Sequence, residues 1–245
     1  MAISSFIRQR KAAIQAHELD AIAWLQVLSQ SERERALNDL NIVDVPSGRT
    51  FCSIGRPVTH WFGVVEGLLK VSSDSSEGQT MTFVGVPPGG WIGEGTAIKR
   101  ETYRYNVQAL RKSRVAGLPL DTFHWLLDHS IGFNRFVMNQ INERLGQFIA
   151  GREIDRMTDP DIRVARSLAA LMNPVLYPGF SNVLHITQQE LAYLVGLSRQ
   201  RVNESLTILA ACEVVAVEYG GLRVLNLQAL RTQNEFPKKS ALTIC

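Results

Sequence analysis

Residues 187–209, TQQELAYLVGLSRQRVNESLTIL, constrain this chain's folding more than any other stretch. Thr187 with Glu190 three residues on makes a capping box ahead of an apolar-periodic run, so a helix starts here. Leu191, Leu194 and Val195 share its inner face, and Ala192 is small enough for a second helix to cross closely. Gly196 supplies the positive-φ residue that ends a helix cheaply. Ser198 is an N-cap for a second helix whose inner face is Val202, Leu206 and Leu209. Its outer face then carries Arg199, Gln200, Asn203, Glu204 and Thr207, side chains that reach base edges and phosphates in a major groove. The spacing is that of a helix-turn-helix, the plainer alternative being an ordinary helical hairpin.

Bulk charge does not announce a nucleic-acid binder. The formal net charge is +3, and from Asp159 onward eight basic residues face seven acidic ones. Affinity for a polyanion must come from local placement of arginine. At 245 residues, 45% hydrophobic and 20% charged, the chain can bury a sizeable core and has the length of two domains. Cys52, Cys212 and Cys245 are scattered, with neither metal-ligand nor redox spacing. With no membrane-length apolar run and no signal-peptide pattern, a reducing cytoplasm is the expected location.

Upstream, residues 1–40 read as helical: Ala13, Ile14, Ala21, Trp24, Leu25 and Leu28 form a stripe, and Ser31 with Glu34 makes another capping box. The first residues, with Arg8, Arg10 and Lys11, read as a solvated terminus. Between residues 41 and 119 the texture becomes short β-branched and aromatic runs split by turn signals at Pro46-Ser47-Gly48, Gly55-Arg56-Pro57, Ser73–Gly78 and Pro87–Gly90. Such spacing indicates an antiparallel barrel or jelly roll. Within it, Gly93, Glu94, Gly95 and Thr96 follow two more glycines and a Trp-Ile pair. Backbone amides freed by glycine can cradle an anion, Glu94 can accept from a sugar hydroxyl, and Arg104 can pair with a phosphate. A tight corner between strands explains the glycines equally well.

From Leu120 the period turns helical, with a short helix over 120–128 and a longer one from Ile131. Phe133, Val137, Ile141, Leu145 and Phe148 form its stripe, and Phe136, Met138 and Ile149 add apolar flanks. The helix is therefore buried between domains or pairs with its symmetry mate. Gly146 and Gly151 imply a close approach along it. Asp159, Pro160 and Asp161 mark a fresh helix start, which places a domain boundary at residue 158. The next helix spans 161–172, and a Tyr-Pro-Gly turn and a short strand lead to Thr187. After the second helix of the pair, strands 214–218 and 222–227 flank Gly220-Gly221 as a hairpin, with Arg223 on it. A polar, mobile tail follows over 233–245.

Taken together, an effector barrel over 41–119, a short and a long helix over 120–157, and a winged helix-turn-helix over 158–232 resemble the CRP/FNR superfamily of bacterial transcription regulators, the catabolite-activator type. The resemblance covers residues 40–230 and is most specific in ITQQELAYLVGLSRQRVNESL and in the Gly93-Glu94…Arg104 cassette. It implies an α+β chain with an N-terminal antiparallel β-roll, a long dimerisation helix and a C-terminal winged helix-turn-helix. It implies a homodimer on double-stranded DNA, RNA polymerase as partner, and the loop 173–181 as the surface presented to it. Thr187, Gln188, Ser198, Arg199, Gln200, Arg201, Asn203, Glu204 and Arg223 are the expected DNA contacts. Arg199 stands where the family reads guanine. Gln200 replaces a usual Glu and Glu204 a usual Arg, so the half-site differs from the commonest one.

The effector site departs as well. Tyr105 stands where cyclic-nucleotide binders have Ser or Thr, and Phe148 and Ile149 replace a polar pair that holds the purine. An apolar wall leaves a purine's polar edges unpaired, at about 1–3 kcal/mol each, so cyclic AMP is not the expected ligand. An unknown small molecule, or none, is. Iron–sulfur cysteines are lacking, and Cys52 with His60 makes only a weak haem pair. A cupin-like metal enzyme, the alternative of another class, needs clustered histidines, whereas His60 is the only one in the barrel.

Overall fold

The computed structural model describes residues 16–20, 22–74, 80–178 and 182–237. The basic arm, most of the Ser73–Gly78 turn, the glycine of the Tyr-Pro-Gly turn, and Lys238 with Lys239 lie outside the described residues. The chain divides into two compact units. One is Met1–Gly146 with Pro174–Gly179, the other Gln147–Asn173 with Phe180–Cys245.

In the first unit, α1 (Ala16–Asp20), a 3-10 turn (Ala23–Val27) and α2 (Gln30–Asp39) precede the sheets. The capping box of α2 sits at Ser29 and Glu32, not at Ser31 and Glu34. Both pairs fit the motif, but Leu28 is extended, so the earlier serine meets the helix start first. Strands β1 (Asn41–Val45), β2 (Thr50–Cys52), β3 (His60–Glu66), β4 (Leu69–Asp74), β5 (Thr80–Val86) and β6 (Trp91–Ile92) come next. The short α3 (Glu94–Lys99) separates them from β7 (Asn106–Ala109) and β8 (Ser113–Pro119). Two antiparallel four-stranded sheets result, ordered β1-β8-β3-β6 and β2-β7-β4-β5. Helix α4 (Leu120–His129) and the 26-residue α5 (Ile131–Arg156) follow directly.

The core of this unit is aromatic. The Trp61 and Trp91 ring centroids lie 4.4 Å apart, Trp24 meets Trp91 edge-on at 5.3 Å, and Phe123 and Phe133 close the cluster. Pairs of this kind add about 0.5–1.5 kcal/mol each beyond the area they bury. Gly63 makes the cluster possible, since a Cβ there would stand 2.2 Å from the Trp91 ring.

The second unit contains the C-terminal turns of α5, where Gln147 Nε2 donates to Ala170 O at 3.3 Å. The packing therefore divides inside an unbroken α5, whereas the helix-start signal places the boundary at residue 158. That start is present: the Asp159 carboxylate accepts from Asp161 N at 2.8 Å and Pro160 opens α6 (Pro160–Ala170). Then come β9 (Val183–Leu184), α7 (Gln188–Val195), α8 (Arg199–Ala211), β10 (Val215–Glu218), β11 (Gly221–Val224) and α9 (Leu227–Thr232). The sheet order is β10-β11-β9, the hairpin turning at Tyr219-Gly220 with Gly220 at φ +78. Val164, Leu168, Leu191, Val195, Val202, Leu206 and Leu209 fill the core. The second hairpin strand stops at Val224, because Asn226 caps α9. The described part of the tail is packed, not loose: Phe236 is buried, and Arg166 donates to Leu230 O and Gln233 O. No helix among the described residues is long and apolar enough to cross a membrane.

Candidate nucleic-acid interface

The outer face of α8 is built from its cap upward. The Thr187 hydroxyl accepts from Glu190 N at 3.2 Å while the Glu190 carboxylate accepts from Thr187 N at 2.8 Å. Gly196 ends α7 in the left-handed region at φ +70. Ser198 then caps α8, accepting from Arg201 N at 3.1 Å. With Val202, Leu206 and Leu209 buried, Arg199, Gln200, Asn203 and Thr207 are exposed and Glu204 is half-exposed. Gln188 reaches this face from the first turn of α7, its Nε2 donating to Asn203 Oδ1 at 2.7 Å. Gln200 Nε2 donates to Glu204 Oε1 at 3.3 Å. This side of α8 offers hydrogen-bonding groups in a row and no apolar group larger than a methyl.

Two expected contacts are otherwise engaged. Arg201 turns inward and donates to Asp161 Oδ1 at 2.6 Å, because a partly buried carboxylate at the start of α6 outcompetes solvent for it. Arg223 is neutralised on the wing by Glu218, with a weaker bond to Asn182 Oδ1 at 3.5 Å.

The glycine-rich segment of the first unit forms a closed polar cluster. Gly93 takes the left-handed conformation at φ +91 and starts α3, whose first residue, Glu94, is 4% exposed. Arg144 of α5 reaches Glu94, Nε to Oε1 at 3.5 Å, and donates to Trp91 O at 2.6 Å and Tyr177 Oη at 3.2 Å. Burial opposes the charge of Arg144, but Tyr177 and Glu94 together hold its pKa above the ordinary value. Tyr177 is fully buried and donates to Gly85 O at 3.2 Å. Its ring lies on Gly90, where a Cβ would stand 2.8 Å away. Gln140 adds a bond to Val175 O at 2.8 Å. Glu94 Oε2 is buried with no hydrogen-bond partner among the described residues. Tyr105 bonds Thr96, and burial pushes its hydroxyl up to about 12.

The cyclic nucleotide-binding domain family matches residues 42–130, and the Crp-like helix-turn-helix domain family matches residues 162–233. The two stand in the order and on the folds just described. The chain belongs to the CRP/FNR family of transcription regulators. It is 28% identical over 174 residues to the transcriptional regulator SdrP of Thermus thermophilus, covering 69% of this chain and 81% of that one. It is 26% identical over 184 residues to the CRP-like cAMP-activated global transcriptional regulator of Mycobacterium tuberculosis, covering 70% and 78%. Among solved structures, FixK2 from Bradyrhizobium japonicum shares the fold with a TM-score of 0.63 at 14% identity, covering 78% of this chain and 95% of that chain.

Within the CRP/FNR family frame, the expected effector residues do not all assemble. Arg104 is engaged elsewhere: its side chain is 73% exposed and paired with Glu101 at 2.9 Å. Phe148 is exposed, and a Cβ added at Gly95 would meet nothing within 4 Å among the described residues. The arginine beside Glu94 is Arg144, which sequence reading missed along with Gln140 and Tyr177. Arg144 carried a signal, standing at helical spacing from Phe133 and Val137 on the same buried face. With Arg144 paired to Glu94, and Arg104 paired to Glu101, the residues present do not fit a cyclic nucleotide's phosphate.

The long helix corrects another expectation. Phe133 and Val137 are buried in their own unit, so they are not available to a second chain. The exposed apolar residues are Ile131, Met138, Ile141, Leu145, Phe148 and Ile149. A Cβ added at Gly146 or Gly151 would meet nothing within 4 Å, so among the described residues nothing packs closely on these two positions. The loop after α6 is not an exposed surface at Leu176 and Tyr177, both fully buried. His60 stacks on Phe62 and bonds Thr59 Oγ1 at 2.9 Å. Cys52 lies in the other sheet, its thiol against Tyr103.

Proposed function

We propose that this regulator works as a homodimer that sets two copies of α8 into successive major grooves of a pseudo-palindromic site. The observation that carries this is the division of α8 into a fully buried face and a row of polar side chains, Arg199, Gln200, Asn203, Glu204 and Thr207. Arg199 reads guanine, Gln200 adenine and Glu204 the cytosine amino group. Thr187 and Ser198 hold backbone phosphates beside the groove, and Arg223 joins them once released from Glu218.

Pairing runs along α5. Met138, Ile141, Leu145 and Phe148 are spaced three and four residues apart, the a/d spacing of a two-stranded coiled coil, and all four are exposed in the single chain. The partners are DNA, a second copy and RNA polymerase, the last through a surface other than the buried Leu176–Tyr177. The protein works in the cytoplasm and catalyses nothing. Because Arg144 takes up Glu94 and Glu101 takes up Arg104, its control rests on a ligand other than cyclic AMP or on its own abundance.

Selection of bound duplexes from a randomised library, followed by footprinting, tests the reading. The expected result is an inverted repeat with half-site centres about 34–36 Å apart. No enriched sequence, or a single half-site bound by one chain, would overturn it.

A further inference from the structure

On the DNA-facing side of the second unit, two residues expected to touch DNA are instead spent on their neighbours. Arg201 spans from Asp161, 2.6 Å from Nη2, to Glu204, whose Oε2 is 3.7 Å from Nη1. Asp161 is fixed in turn, accepting the Ser205 hydroxyl at 2.7 Å. The other Glu204 oxygen accepts from Gln200 at 3.3 Å. On the opposite flank Gln188 donates to Asn203 Oδ1 at 2.7 Å.

A carboxylate engaged at both oxygens keeps its remaining lone pairs in one direction. An amide whose oxygen is taken offers its N–H groups. The surface of α8 is thus set before DNA arrives: donors at Arg199, an acceptor at Gln200 Oε1, donors at Asn203 Nδ2 and acceptors at Glu204.

We infer that Arg201 and Gln188 are positioning residues that set the base preference of α8 without touching DNA. Arg201, anchored on Asp161, aims the Glu204 carboxylate at a base carrying an exocyclic amino group, cytosine N4 or adenine N6. Gln188 turns the Asn203 nitrogen toward an acceptor, guanine O6 and N7 or thymine O4. The inference rests on the reading of α8 as the groove helix, and it takes Arg201 and Gln188 out of the residues expected to touch DNA.

The test uses the full chain and duplexes enriched by it from a random library. Each base pair of the half-site is then changed singly, and affinity is measured across a salt series. Arg201→Met is expected to lower discrimination at the Glu204 position about fivefold or more. The salt slope should not change, because no counterion-releasing contact is lost. In a Glu204→Gln background the same substitution should change base preference no further, the non-additivity expected of two residues acting as one. Gln188→Ala, which leaves the core untouched, should lower discrimination at the Asn203 position about fivefold or more.

A salt slope reduced by about 0.9 would place Arg201 on a phosphate and overturn its assignment. Uniform weakening on every duplex, with discrimination intact, would make Arg201 and Gln188 structural only and overturn it too. A wild-type chain that enriches no sequence overturns the groove-helix reading and this inference together. An enriched sequence indifferent to both substitutions overturns the inference alone.

Discussion

Arg199 opens α8 with no ion pair among the described residues, unlike Arg201 two positions on. Its replacement by Ala should cost about 1–3 kcal/mol of binding and relax preference at a single base pair, as measured by competition between singly altered duplexes. A second residue-scale expectation concerns packing. Gly63→Ala drives a methyl into the Trp91 ring and should lower unfolding free energy by about 1–3 kcal/mol in denaturant melts. Single residues were unevenly legible in the sequence. Glu94 and Gly93 could be read, because a glycine-flanked acid in a strand-rich stretch is a rare local pattern. Tyr177 could not: it sits in a proline-flanked loop with no periodicity, and its partners Gly85, Gly90 and Arg144 are remote in sequence.

At the scale of elements, caps decided most of what could be read in advance. Thr187, Ser198 and Asp159 start helices at the positions their side chains indicate, since a cap bonds only to the next turn. The long helix α5 was legible as a helix and misleading as a surface. Apolar residues lie on two of its faces, and periodicity alone cannot assign each face to a partner. Burial separates them: Phe133 and Val137 face inward, Leu145 and Phe148 outward. Leu145→Glu therefore tests the pairing face without touching the aromatic core. Two carboxylates opposed across the seam should cost the dimer on the order of 2 kcal/mol or more, read as a shift to monomer mass in sedimentation. Phe133→Ala should instead unfold the first unit.

For the molecule as a whole, acid should be a slow solvent of stability through His60. Burial beside Phe62 lowers its pKa from 6.5 to about 4. Above about 6.5 both folded and unfolded chains hold it neutral, so its effect on stability is constant. From 6.5 down to about 4 only the unfolded chain takes up the proton, and unfolding free energy should fall across that window. His60→Leu should flatten that part of a stability-versus-pH curve while leaving the rest in place. The order of roll, long helix and winged helix-turn-helix was readable because each has its own hydrophobic period. The division of packing inside α5 was not, because an unbroken helix gives no signal where its neighbours change.

The seat of Tyr177 bears on how such a regulator can be recombined. Pro174–Gly179 packs with the roll although the chain on either side belongs to the other unit. A hybrid cut at residue 158 and joined to a foreign reading head would thus lose the ring that lies on Gly90 and the phenol that meets Arg144. Fusion partners chosen to retain the native hexapeptide would keep the first unit intact, and an exchange of heads would work as a graft with one strip of the host left behind.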